Sequence, residues 1–307
     1  MTQIALLGQV PPDVLAALKG DATLVDANEL ATMVPDARAR IALGLSSAMA
    51  GAGATVLDLL PGLRRIASVG AGVDAYDASD LPGRGIELCP TPDAMTEDTA
   101  EQAVALALAL LRRVPANDRF VRQGEWAEAR APLGRRLSGM RVGVVGLGRI
   151  GAAAAGKLAA LGCEVSYTGR SAKDVPWRFM LQTDALAAAV DLLVLTCAGG
   201  DSTRGLVSAE VLDRLGPEGF LVNVSRGSVV DEPALIAALE GGRIAGAALD
   251  VFENEPRPDP RFAALSNCIL SPHAATSTRE NRTGLIAAIR GHLGLAAPHM
   301  PAPHAPA

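Results

Sequence analysis

This chain predicts an α/β protein of two doubly wound parallel sheets, and three observations carry the expectation. Its 307 residues exceed what one hydrophobic core normally holds, and 49% of them are hydrophobic, enough to fill two. Short apolar runs alternate with helical segments, the pattern of parallel strands joined by crossover helices. Met140 to Ser171 reads without interruption as strand, glycine turn, helix and second strand.

Composition narrows the function classes. The 28 basic and 33 acidic side chains give a net charge of -5 with no long run of either sign, so no basic footprint for nucleic acid is present and a small-molecule partner is expected. The longest apolar run, Ala103 to Leu111, falls far short of the roughly 20 residues of a membrane span and reads as a core helix. Met1 to Val10 lacks the basic start and small-residue cleavage site of an export signal, which points to the cytoplasm. Cys89, Cys163, Cys197 and Cys268 are scattered without metal-ligand spacing, so reduced thiols and no metal site are expected.

In the first lobe, Ile4–Leu7, Thr23–Val25, Ile41–Leu45, Arg65–Val69 and Ile86–Leu88 read as strands, with amphipathic crossovers such as Asp13–Lys19 and Ala54–Leu60. Gly70, Ala71 and Gly72 follow the fourth strand. They are either a simple turn or a loop whose backbone N–H groups hold a carboxylate. Pro90-Thr91-Pro92 interrupts the strand pattern, and a helix is expected from Glu97 to Arg113 with Thr96 as its N-cap. The charged stretch Asn117 to Ser138 reads as an arm against a second subunit, with a solvated loop as the other reading.

The second lobe is built on the Met140–Ser171 unit. Gly146, Gly148 and Gly151 give G-x-G-x-x-G: the first permits the tight turn, the second lets backbone approach a pyrophosphate, and the third lets helix pack on strand. The N-terminus of the helix Ile150–Leu161 offers N–H groups to the phosphates. Glu164–Thr168, Asp191–Thr196, Gly219–Val224 and Ala245–Leu249 supply further strands of a sheet expected to have six, with helices at Ser208–Leu215 and Glu232–Glu240. Ala275–Leu295 is helical in pattern and carries the chain back to the first lobe; the Pro-, Ala- and His-rich Ala297–Ala307 reads as a mobile tail. The first lobe is thus residues 1–95 with 282–307, and the second is 96–281.

Cofactor selectivity is legible after the second strand of the cradle. NAD-selective cradles carry an Asp or Glu roughly 20 residues after the glycine motif, on the ribose hydroxyls. Here Gly169 stands there, followed by Arg170 and Ser171, with Lys173 close by. No acid repels a 2′-phosphate and a guanidinium is on hand to bind it, so NADPH is expected over NADH.

Taken together, VGAGVD, TPDAMTEDTAE, GVVGLGRIG, NVSRGSVVDEPAL, GAALDVFENEP and SPHAA occur in an order that resembles the D-isomer-specific 2-hydroxyacid dehydrogenases through nearly the whole chain. The resemblance implies a Rossmann cofactor domain inserted into a discontinuous flavodoxin-like substrate domain, a homodimer, and reduction of a small 2-keto acid such as glyoxylate, hydroxypyruvate or pyruvate to the D-2-hydroxy acid. By it Arg226 binds the substrate carboxylate and carbonyl, His273 is the acid/base and Glu255 its partner, and Gly70, Ala71 and Gly72 become the carboxylate loop. Asp250 faces the nicotinamide carboxamide. The expected cofactor contacts are Thr96, Gly146, Gly148, Arg149, Ile150, Gly151, Arg170, Ser171, Lys173, Cys197, Val224, Ser225, Arg226, Asp250, His273 and Thr276.

The chemistry suits these residue types: hydride arriving at a carbonyl carbon leaves charge on oxygen, which a proton donor and a fixed cation stabilise, and a carboxylate beside a histidine favours the donor form. The glyoxylate/hydroxypyruvate reductases are the subgroup that Tyr167-Thr168-Gly169-Arg170 resembles. Three places depart from the family pattern: Pro90 stands where many members have Asn, Thr196–Gly200 reads TCAGG in place of a proline-containing segment, and Pro132-Leu133 is followed by Gly134 where some members have Trp. Two alternatives stay open: a nucleotide-sensing corepressor of the same fold, and an NAD-dependent D-2-hydroxyacid dehydrogenase. Related formate dehydrogenases, with Gln where Glu255 stands, are disfavoured.

Overall fold

The structure, a computed structural model, describes residues 1–296, with Asp77 and Ala78 as backbone only. The tail from Ala297 lies outside the described residues. The chain divides into two compact units, Met1–Met95 with the described part of Thr278–Ala307, and Thr96–Ser277.

The first unit holds β1 (Thr2–Leu6), β2 (Ala22–Val25), β3 (Leu43–Ser47), β4 (Arg65–Val69) and β5 (Glu87–Cys89), all parallel, in the order β2-β1-β3-β4-β5. This is the flavodoxin-type doubly wound order. Its inner residues Ile4, Leu45 and Ala67 pack against Leu285 and Ile289 of the returning helix Arg279–His292 and against Leu293 just beyond it. Truncating such a fully buried residue, Ile289 for instance, to Ala typically costs about 2–5 kcal/mol. Arg290 on the same helix is buried but fully engaged, donating to the Ala17 and Ala296 carbonyls and pairing with Asp21 at 2.7 Å.

The second unit holds β6 (Arg141–Val145), β7 (Glu164–Thr168), β8 (Arg178–Phe179), β9 (Leu192–Leu195), β10 (Phe220–Asn223), β11 (Gly246–Leu249) and β12 (Cys268–Leu270). All are parallel, in the order β12-β11-β10-β9-β6-β7-β8, the classical dinucleotide-binding order with one strand added beyond β11. The sheet therefore has seven strands where six were expected. β8, two residues long, and β12, three, are too short to show a period of two. Leu192, Val194, Leu221 and Val222 are fully buried, as both-face coverage by crossover helices requires.

The bounds of two helices differ most from the sequence reading. The helix expected from Glu97 begins at Pro92, because proline suits the first helical turn, so Thr96 is an interior residue and not a cap. It ends at Leu111; Arg113 turns the chain at φ 55°, and a new helix, Val114–Arg122, opens the arm. Ala100, Ala103, Ala107 and Leu110 pack on Val142, Leu192, Val222 and Ala248, so this helix is core to the sheet and not spare surface. The helix expected from Ala275 begins instead at Arg279, with Thr278 accepting from the Asn281 N–H as N-cap.

Candidate active site

Parallel strands deliver their carboxyl ends to one edge of the second unit's sheet, and the chain places its chemistry there. The cradle follows β6, Thr196 and Cys197 follow β9, Val224, Ser225 and Arg226 follow β10, Asp250 and Glu255 follow β11, and His273 and Thr276 follow β12. Strand order reverses between β6 and its neighbours β7 and β9, a switch point where open α/β sheets take ligands.

Each cradle glycine meets a separate constraint. Gly146 sits at φ 92°, and a Cβ on it would stand 2.5 Å from Cys197 Cα. A Cβ on Gly151 would stand 2.2 Å from the Gly146 carbonyl oxygen and 2.7 Å from Thr196 Oγ1. Gly148 differs: a Cβ there would meet no protein atom within 4 Å. Its smallness is not required by the protein's own packing. Gly148 is the N-cap of the twelve-residue helix Arg149–Ala160, makes no side-chain cap and is followed by no acid in the first turn. These N–H groups and the open space above Gly148 fit a pyrophosphate. Burial pushes the neighbouring Cys197 thiol up to about 11, which leaves it a neutral wall.

Past β7, Tyr167 is buried and its hydroxyl accepts the Lys173 N–H, which shapes the turn that follows. Arg170, Ser171 and Lys173 on that turn are exposed, and a Cβ on Gly169 would touch nothing nearer than Leu147 N at 3.9 Å. The place usually held by an acid is open, with a cation next to it.

Arg226 is presented by a loop that Asn223 ties. The Asn223 Oδ1 accepts from the Ser225 N–H at 2.9 Å and hydroxyl at 2.7 Å, while its Nδ2 donates to the Arg226 carbonyl at 3.0 Å. Asn223 is 1% exposed and opens the NVSRGSVVDEPAL stretch, but with no charge of its own it receives no role from the sequence.

His273 Nδ1 lies 2.7 Å from Glu255 Oε2, and Glu255 Oε1 accepts the Phe252 N–H at 2.9 Å. Burial pushes the Glu255 carboxyl up, but the hydrogen bonds from His273 and Phe252 and the charges of His273 and Arg226 outweigh it, and the net direction is down. Glu255 is thus a carboxylate at neutral pH. His273 itself has φ 51°, a left-handed backbone that a non-glycine residue holds only where its surroundings demand it. Its N–H donates to the Asp250 carbonyl at 2.8 Å.

Asp250 is fully buried and its carboxylate ties this same turn. It accepts the Ala274 and Ala275 N–H groups, each at 3.0 Å, and the hydroxyl of Ser271, with Gln102 Nε2 beside it at 3.5 Å. These bonds hold the turn that presents His273 and keep Ala274 and Ala275 out of the last helix. Gln102 and Ser271 join the site as supports that a sequence pattern could not assign.

Thr96 lies in the helix Pro92–Leu111. Gly70, Ala71 and Gly72 belong to the first unit. Gly70 is at φ 121°, its N–H donates to Thr91 Oγ1 at 3.0 Å, and a Cβ on it would collide with Ala48. Gly70 therefore anchors the loop, and Ala71 and Gly72 follow it.

A glycine cradle for a dinucleotide and a histidine–carboxylate pair, carried on one edge of one sheet, define a nicotinamide-dependent oxidoreductase. The chain belongs to the D-isomer-specific 2-hydroxyacid dehydrogenase family, whose NAD-binding domain matches residues 104–275, more than half of the chain. It is 43% identical over 229 residues, 74% of each chain, to a 2-ketogluconate reductase of Gluconobacter oxydans. It is 41% identical over 250 residues, 81% of this chain and 80% of the relative, to a glyoxylate/hydroxypyruvate reductase of Arabidopsis thaliana. Among solved structures, a 2-hydroxyacid dehydrogenase from Ketogulonicigenium vulgare superposes with a TM-score of 0.86 at 38% identity, covering 96% of each chain. An NADPH-dependent glyoxylate/hydroxypyruvate reductase from Sinorhizobium meliloti, solved with NADP and malonate, gives 0.85 at 36% identity, covering 94% of this chain and 91% of that one.

Proposed function

We propose that the protein is an NADPH-dependent reductase of small 2-keto acids, glyoxylate, hydroxypyruvate or pyruvate, yielding the D-2-hydroxy acid. The observation that carries the reading is the 2.7 Å contact between His273 Nδ1 and Glu255, on the same sheet edge as the cradle. The bound nicotinamide supplies the hydride. Engaging Nδ1 with Glu255 leaves Nε2 to deliver the proton to the developing alkoxide, and the carboxylate stabilises the imidazolium that must be present beforehand. Arg226 holds the 2-keto acid by its planar fork and offsets charge on the carbonyl oxygen. Ala71 and Gly72 are assigned to the substrate carboxylate.

The pH dependence follows from the sign of each charge. Glu255 is ionised from below the usual carboxylate range upward, so its charge stands beside His273 through neutral pH and is lost only in acid, while a reduction that takes up a proton slows at high pH. Glu255→Gln removes the anion that favours imidazolium, and the high-pH limb of kcat/KM should move to lower pH. An unmoved limb in a folded variant would break the coupling.

The same reading makes the protein a cytoplasmic homodimer with no nucleic-acid partner. The arm supports the dimer: Trp126 and Leu133 are 69% and 95% exposed, and Arg113, Arg119, Leu133, Phe262 and Leu270 line a groove of about 560 Å³. Closed twofold dimers are the commonest assembly. Light scattering at micromolar concentration should return about twice 31.4 kDa, and a monomer would leave the arm a solvated loop.

A further inference from the structure

Glu232 is a carboxylate that the mechanism has not used. It is 6% exposed, opens the helix Glu232–Glu240, and its Oε1 accepts the Glu253 N–H at 2.7 Å. Burial pushes its carboxyl up, and the charges of Glu253, Asp259 and Glu255 add to the rise, with the backbone N–H of Glu253 opposing. Arg204 approaches Glu253 at 3.9 Å. A buried acid among acids costs stability, so its short hydrogen bond to the Glu253 N–H marks where it acts.

That bond falls on the loop that carries Glu255. The loop is clamped at two successive residues from below. Gly227 lies so close that a Cβ would stand 1.9 Å from the Phe252 carbonyl carbon, and Glu232 takes the next N–H, that of Glu253. From this base the Phe252 N–H meets Glu255 Oε1, and Glu255 Oε2 meets His273. Gly227 directly follows Arg226, so one segment presents the arginine and also fixes the loop of its carboxylate neighbour.

We propose that Glu232 is a positioning residue of the reaction, the buried acceptor whose bond to the Glu253 N–H holds Glu255 against His273 Nδ1. The inference rests on the functional reading above. Two variants of similar volume separate position from packing. Glu232→Gln keeps an oxygen acceptor, whereas Glu232→Met fills the space without one and leaves the Glu253 N–H unpaired.

In keto-acid reduction, E232M should lower kcat on the order of tenfold, as small misplacements of reacting groups do. Its NADPH affinity should stay within about twofold of the parent, as the cradle does not depend on this loop. Its high-pH limb should shift in the direction expected of Glu255→Gln, and E232Q should recover most of kcat. Added to Glu255→Gln, E232M should cost little more, because both act through one contact. A wild-type kcat and pH limb in E232M would overturn the proposal, as would an E232Q as impaired as E232M, or full additivity with Glu255→Gln. Should E232M fail to fold, Glu232→Ala takes its place in the same assays. If the parent protein reduces no keto acid, the functional reading fails. Glu232 is then judged by following the His273 ring through its pH titration by NMR in the parent and in E232M: a displaced titration supports the positioning role, and an unmoved one ends it.

Discussion

Replacing His273 by alanine is expected to lower kcat for 2-keto acid reduction on the order of 100- to 10,000-fold, the usual worth of a positioned general acid, while NADPH binding is retained. The ring is held in place, since Glu255 lies 2.7 Å from Nδ1 and the main chain at φ 51° is fixed by the Asp250 carbonyl and carboxylate. Removing the side chain leaves the bonds from Asp250 to the 273–275 backbone in place, so the turn should survive and the loss should be one of turnover. Arg226→Ala is expected to behave differently, raising KM as well as lowering kcat, because its fork serves both the bound substrate and the charge that develops on it. Near-normal turnover in a folded His273→Ala protein would remove this residue from the mechanism.

The second large effect concerns the cofactor. Arg170→Ala is expected to weaken NADPH on the order of 10- to 100-fold, the worth of hydrogen bonds to a charged group, with NADH little changed. The turn carrying Arg170 is shaped by the buried Tyr167 hydroxyl on the Lys173 N–H, and no acid stands at Gly169 to oppose a phosphate. Parallel losses for both cofactors would mean that Arg170 acts on the fold of the turn and not on the 2′-phosphate. Titration of nicotinamide fluorescence with the two reduced cofactors distinguishes these outcomes.

Much of this was legible in the residues because their constraints are local. The glycine spacing of the cradle, the missing acid at Gly169 and the runs of the main strands each follow from near neighbours in the chain. What stayed hidden depends on distant partners. Gln102 is a polar residue with no motif of its own, and its worth appears only when β11 brings Asp250 beside it. Glu232 reads as an ordinary first-turn helix acid until the loop after β11 lies on it. Asp250 carries a backbone-tying role that spacing cannot express, because its partners Ala274 and Ala275 are 24 and 25 residues further on. β8 and β12 are set by pairing with β7 and β11, not by a period of their own.

Steady-state rates for glyoxylate, hydroxypyruvate and pyruvate, each with NADPH and with NADH, test the central claim most directly. The account predicts reduction of at least one of the three to the D-2-hydroxy acid, with kcat/KM higher for NADPH than for NADH. Equal or greater efficiency with NADH, or no turnover of any of them with either cofactor, would contradict it.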